Sequence, residues 1–115
     1  MSSQELMEAM AEDLVKKIPS GQANAVTRAE LARSTQLPDR SLRELLEIAR
    51  DKGHLICNDQ DGRGYYLAET IDEIESQYRR DHTRALSILK RLKPFRRALS
   101  QAGRIRPKRE AASCG

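Results

Sequence analysis

The sequence predicts a mainly α fold with a small β-hairpin, followed by a long C-terminal amphipathic helix. Three observations predict it. Between Thr27 and Lys52, two helical apolar patterns are separated by the turn Thr35-Gln36-Leu37-Pro38. The β-prone runs Leu55-Ile56-Cys57-Asn58 and Tyr65-Tyr66-Leu67 flank Asp61-Gly62, a dipeptide suited to a tight hairpin turn because glycine accepts positive φ. From Ile71 to Leu99, apolar residues recur at alternating steps of three and four.

Taken in order, Ser2 and Glu5 have capping-box spacing and open a helix with Leu6, Met7, Met10, Leu14, Val15 and Ile18 on its apolar face. Pro19 and Gly21 end it. Ala25-Val26 is a candidate short strand. Thr27 and Glu30 repeat the capping-box spacing ahead of a short helix in which Leu31 is buried and Ala32 lets a second helix approach closely. Pro38 stands where the next helix begins, since its missing donor costs little there. Leu42, Leu45, Leu46 and Ala49 form that helix's inner face, and Gly53 closes it as a C′ residue. Because a lone hairpin is marginal, the following strands must lay one face on the helices, with Tyr65 and Tyr66 alternating so that one packs and the other caps the surface.

Thr70 and Glu73 carry a third capping-box spacing and start the longest helix, whose stripe comprises Ile71, Ile74, Tyr78, Ala85, Ile88, Leu92, Phe95 and Leu99, widened by Leu86 and Leu89. The first two turns are expected to complete the core against Met10 and Leu14, and Pro94 to kink or end the helix near Leu92 or Lys93. Three segments follow: 1–69, the hairpin-bearing domain; 70–100, a basic amphipathic helix; and 101–115, a basic tail expected to be disordered.

Composition narrows the function. Three Tyr, one Phe and no Trp cannot build the aromatic platform on which single-stranded nucleic acids stack. The net charge of +4 is unevenly spread: residues 1–68 hold nine Lys/Arg against eleven Asp/Glu, whereas residues 69–115 hold twelve against six. A basic C-terminal half of this kind attracts polyanions. Cys57 and Cys114 form neither a disulfide framework nor, with His54 and His82 so isolated, a metal site. No carboxylate pair, nucleophile–base set or phosphate loop appears at usable spacing, so neither an enzyme nor a cofactor is expected. With no apolar run long enough for a signal sequence or a membrane span, the expected location is cytoplasmic, without a membrane partner.

ELARSTQLPDRSLRELLEIARDKGHLI followed by GRGYYLAE resembles the winged helix-turn-helix of biotin-operon repressors and of small phage or mobile-element DNA-binding proteins. The resemblance covers Thr27 to Glu69, and its most specific element is Gly62-Arg63-Gly64-Tyr65-Tyr66-Leu67. It implies base or phosphate contacts from Pro38, Asp39, Arg40, Ser41, Arg43 and Glu44, and a backbone contact from Arg63 on the wing. The sequence departs from the pattern at Gln36, where glycine is usual, and places Asp39, Glu44 and Glu47 on the approach face. It lacks the biotin-binding catalytic domain, so ligase activity does not carry over.

Each candidate residue has a plainer reading. Arg40 and Arg43 either reach base edges, as arginine does at guanine, or pair with Glu44 and Glu47 along a solvated helix. Arg63 contacts phosphate or simply solvates a turn. Cys57 is expected to be a small buried hydrophobe. Arg79, Arg80, Arg84, Lys90, Arg91, Lys93, Arg96 and Arg97 track phosphates or form the polar face of a helix that zips to a second copy through Ile88, Leu92, Phe95 and Leu99. The resulting expectation is a homodimeric double-stranded DNA-binding protein, a regulator or accessory factor of a phage or mobile element. The alternative is a protein-interaction module that inhibits or recruits a nucleic-acid enzyme through the basic helix.

Overall fold

Capping governs where the helices begin. In the computed structural model, which describes residues 2–59 and 64–104, α1 (Ser3–Val15) starts where the Ser2 hydroxyl accepts the Glu5 amide at 3.1 Å. Thr27 does the same for α2 (Arg28–Thr35): its hydroxyl accepts the Glu30 amide at 3.0 Å while Glu30 accepts the Thr27 amide at 3.4 Å. Such reciprocal bonds satisfy two donors that the first helical turn leaves orphaned. A short 3₁₀ turn over Gln22–Asn24 and strand β1 (Val26–Thr27) connect the two helices.

Between α2 and α3 (Asp39–Asp51) the chain turns through Gln36, which adopts left-handed geometry at φ 58°. It is the one non-glycine residue with positive φ among the described residues. Helix α3 ends in paired C-terminal bonds, His54 amide to Ala49 carbonyl and Gly53 amide to Arg50 carbonyl, and Gly53 at φ 101° takes the conformation a side chain would resist.

Strands β2 (Ile56–Asn58) and β3 (Gly64–Leu67) complete a three-stranded antiparallel sheet in the order β1-β3-β2. Val26 stands opposite Tyr65, and Cys57 opposite Tyr66. Gly64 sits in close quarters: a Cβ there would lie 2.7 Å from an Asp59 carboxylate oxygen and 3.1 Å from the Ala25 Cβ, so both neighbours would have to shift. The turn at Asp61-Gly62 lies outside the described residues.

The core forms where α1, α2, α3 and one face of the sheet meet, through Ala11, Leu14, Val15 and Ile18, Leu31, the predicted quartet Leu42, Leu45, Leu46 and Ala49, and Ile56 and Tyr65. Leu6 and Met10, expected on the apolar face of α1, are exposed, and Ala11 takes the buried position. Both tyrosines are buried, contrary to the expectation that one caps the surface. The reason is that β3 is the central strand: Tyr65 faces the helical core, while Tyr66 shares the opposite face with Cys57, which the start of the next helix approaches.

That helix, α4 (Ile71–Arg91), begins at the third capping-box spacing, where the Thr70 hydroxyl accepts the Glu73 amide at 3.1 Å and the Glu73 carboxylate accepts the Thr70 amide at 3.3 Å. Its first two turns do not complete the core as expected. Ile71 is 76% exposed and Tyr78 66%. Polar bonds attach the helix instead. Glu73 accepts the Gln22 amide at 3.0 Å and the Glu69 amide at 2.7 Å, and Gln77 accepts the Asn58 amide of edge strand β2 at 3.0 Å.

Pro94 acts as predicted. Helix α4 stops at Arg91 and α5 (Lys93–Gln101) starts with the proline in its first turn, with Leu92 between them still in helical geometry. Gln101 to Arg104, placed by the sequence in the tail, finish α5: the amides of Gly103 and Arg104 bond the carbonyls of Ser100 and Leu99. The remainder of the predicted tail, with Cys114, lies outside the described residues. The chain divides into two compact units, Met1–Tyr78 and Arg79–Gly115, and the division falls within α4. Among the described residues no helix is long and apolar enough to cross a membrane.

Candidate nucleic-acid interface

Burial of Leu42, Leu45, Leu46 and Ala49 fixes the rotation of α3 and leaves its other side to solvent. Pro38 precedes the first turn with extended backbone, and Asp39, Arg40, Arg43, Glu44 and Glu47 are exposed, with Ser41 half-buried. Arg40 is the most open, with 92% of its side chain accessible. Of the residues predicted for the groove-facing set on α3, Asp39, Arg40, Arg43 and Glu44 share one helical edge, while Ser41 lies toward the packed face. Arg63 lies outside the described residues.

The charges on this edge are internally matched. The Arg40 guanidinium lies 3.4 Å from Glu44, the i,i+4 pair anticipated from the sequence. Arg43, by contrast, pairs with Asp39 at 3.0 Å and not with Glu47, because Asp39 is held in place by a second arginine, Arg28, at 2.6 Å. Arg28 belongs to the first turn of α2, and its own guanidinium is held above its usual range first by a hydrogen bond to Tyr65 and then by the Asp39 charge.

Arg28 and Arg50 are residues that sequence reasoning missed. With Arg43, Glu47, Asp51 and Tyr65 they border a groove of about 370 Å³ along α3, floored in part by Leu46. Arg28 reads in sequence as the filler of a capping box, and Arg50 as a cation placed to suit a helix C-terminus. Only the fold brings them beside Arg43. Arg50 is committed structurally, its guanidinium reaching the Ile56 carbonyl at 3.3 Å and the Asn58 side-chain oxygen at 3.4 Å.

On the side where α1 meets the end of α3, Lys52 pairs with Glu8 at 3.1 Å and His54 with Glu12 at 2.9 Å. The bond from Lys52 holds the Glu8 carboxyl below the usual carboxylate range, and the bond from His54 does the same for Glu12. These pairs fasten two helices and stand apart from the exposed edge of α3. Cys57 is buried, its thiol 3.9 Å from the Leu55 and Glu73 carbonyls, and among the described residues no group of three His, Cys, Asp or Glu could hold a metal ion.

The second unit presents the predicted basic series. Arg79, Arg84, Lys90, Arg91, Lys93 and Arg97 are exposed, with Arg80 and Arg96 half-buried. Its apolar stripe is also open: Ile88 is 46% exposed, Leu92 42%, Phe95 69% and Leu99 44%, and neither α4 nor α5 has a buried residue. No family model, curated protein or solved structure matches the chain.

Proposed function

We propose that the chain is a homodimeric double-stranded DNA-binding protein, a cytoplasmic regulator or accessory factor of a phage or mobile element, whose first unit is a winged helix-turn-helix. Binding, not catalysis, is the activity. The observation that carries the reading is the exposed edge of α3, where a fully packed inner face leaves Arg40, Arg43 and Glu44 outward, with half-buried Ser41 beside them, on a helix capped by Pro38. A helix held this way can enter a major groove with its N-terminal residues toward the bases. Arg40 and Arg43 then exchange Glu44 and Asp39 for base edges, and Arg63 on the wing takes a phosphate. Because the acids of the first unit offset its cations, nonspecific affinity comes from Arg79, Arg80, Arg84, Lys90, Arg91, Lys93, Arg96 and Arg97. Ile88, Leu92, Phe95 and Leu99 join two copies.

Fluorescence anisotropy of the full chain on random and selected duplexes at stepped salt tests the proposal. Phosphate neutralisation releases counterions, so affinity falls steeply as salt rises; a weak, salt-independent response would end the reading. One observation favours a second reading, a protein-interaction module. Asp39 engages both Arg28 and Arg43, and Glu44 engages Arg40, so the edge of α3 offers as much acid as base. The double charge reversal Arg40→Glu, Arg43→Glu separates the two. It lowers duplex affinity at least tenfold if α3 reads the groove, at about 1.4 kcal/mol per tenfold, and leaves it unchanged if α3 meets a protein.

A further inference from the structure

We infer that self-association of the second unit is gated by polyanion: the apolar stripe of α4 and α5 seats a second copy of itself only once the cations flanking it are neutralised. The inference rests on the homodimeric DNA-binding reading above and adds to it how pairing is regulated.

Two features of the second unit pull in opposite directions. Ala85, Ile88, Leu92, Phe95 and Leu99 step by three and four residues, the repeat that suits a helix of matching repeat as partner, and a second copy supplies one. All five are exposed or nearly so within the chain, with Phe95 at 69%. Side chains of this size left in water favour pairing. From His82 to Arg104, however, there are seven Lys/Arg and no Asp/Glu. Arg84 and Arg91 border one side of the stripe, and Lys93 and Arg96 lie at or beyond the other. In a parallel pair Arg91 faces the other copy's Arg96; in an antiparallel pair it faces Arg84. Within this segment neither orientation supplies an acid.

Paired helices lie about 8–10 Å apart. That distance is well inside the screening length of about 30 Å at 0.01 M salt and well beyond the roughly 3 Å at 1 M. Repulsion therefore acts in full at low ionic strength and is screened at high. Nucleic-acid phosphates screen it locally and at once, so duplex and second copy bind cooperatively, each raising the affinity of the other by the same factor.

Sedimentation velocity of the full chain provides the test, run at about 0.01 M and about 1 M sodium chloride, and at the low salt with a short random duplex. The expected result is a monomer at low salt, a dimer at high salt, and two protein copies on the duplex at low salt. A dimer already formed at low salt without duplex overturns the gating while leaving self-association intact. A monomer at high salt and a single copy on duplex overturn self-association itself and assign the stripe to another occupant, while anisotropy still reports on DNA binding. Arg91→Glu supplies an opposite-charge contact in either orientation, so it raises the dimer fraction at low salt at least tenfold while weakening duplex binding. Simple structural damage would lower both, and that outcome counts against the gating. Leu92→Asp stays monomeric in every condition, with the thermal melt of the first unit unchanged.

Discussion

Helix α3 and the α4–α5 pair are built on the same amphipathic plan, yet the molecule treats them in opposite ways. In α3, Leu42 and Ala49 are fully buried, and the helix is clamped between α1 and the sheet. In α4 and α5 a longer stripe of equal apolar character remains open, and the start of α4 is attached by the side chains of Glu73 and Gln77. The difference teaches that an apolar stripe states a demand for burial without stating who meets it. A short helix flanked by other elements finds its partner nearby. The long one, which has no acid from His82 onward through Arg104, leaves its stripe exposed.

The contrast can be broken first at its strongest point. Leu42→Ala should lower unfolding stability by about 2–5 kcal/mol, the usual cost of a leucine-sized cavity in a packed core. Leu92→Ala, at an exposed position, should change the low-salt monomer by no more than about 0.5 kcal/mol. Urea titration of both variants checks this; equal losses would mean that the α4–α5 stripe is covered in the monomer after all.

Removing a cap is the next largest effect. Thr27→Ala deletes the acceptor for the Glu30 amide at 3.0 Å and should cost about 1 kcal/mol, read from the same denaturation curves. A smaller change of opposite sign is expected at the turn. Gln36→Gly relieves the left-handed strain at φ 58°, worth about 1 kcal/mol, against the extra chain freedom glycine brings to the unfolded state. A net gain of about 0.5 kcal/mol should appear as a higher melting temperature.

The polar attachment of α4 sharpens the comparison through pH. Backbone amides of Gln22 and Glu69, the former first, hold the Glu73 carboxyl below the usual carboxylate range. A carboxyl depressed in the folded state contributes stability that is complete above its unfolded value and disappears as pH falls through its folded one. Glu73→Gln should therefore flatten the acid side of the stability profile slightly. Glu8 and Glu12, depressed by Lys52 and His54, keep part of the slope.

Much of this architecture was legible locally. Three capping-box spacings, the proline ahead of α3, the C′ glycine at Gly53 and the left-handed turn at Gln36 depend on residues within one or two turns of each other. Patterns of that range survive in the linear chain. The predicted inner face of α3 is the observed one for the same reason. The candidate site was less legible. Arg40 pairs with Glu44 as the helical spacing implies, but Arg43 prefers Asp39 because Arg28, eleven positions earlier, fixes that carboxylate from another helix. Nor could spacing along the chain reveal that Arg28, Arg43 and Arg50 border one groove.

The sequence by itself determined the helices, the capped points where they begin, the fold class and the uneven distribution of charge, since each follows from short-range bonding or simple composition. Tertiary structure alone decided that both Tyr65 and Tyr66 are buried, that Ala11 and not Met10 faces the core, and that α4 begins on polar bonds and leaves Ile71 in water. Those outcomes depend on which surfaces compete for the same neighbour. The inner face of the sheet packs into the helical core of the first unit, while the apolar stripe of the longest helix stays exposed.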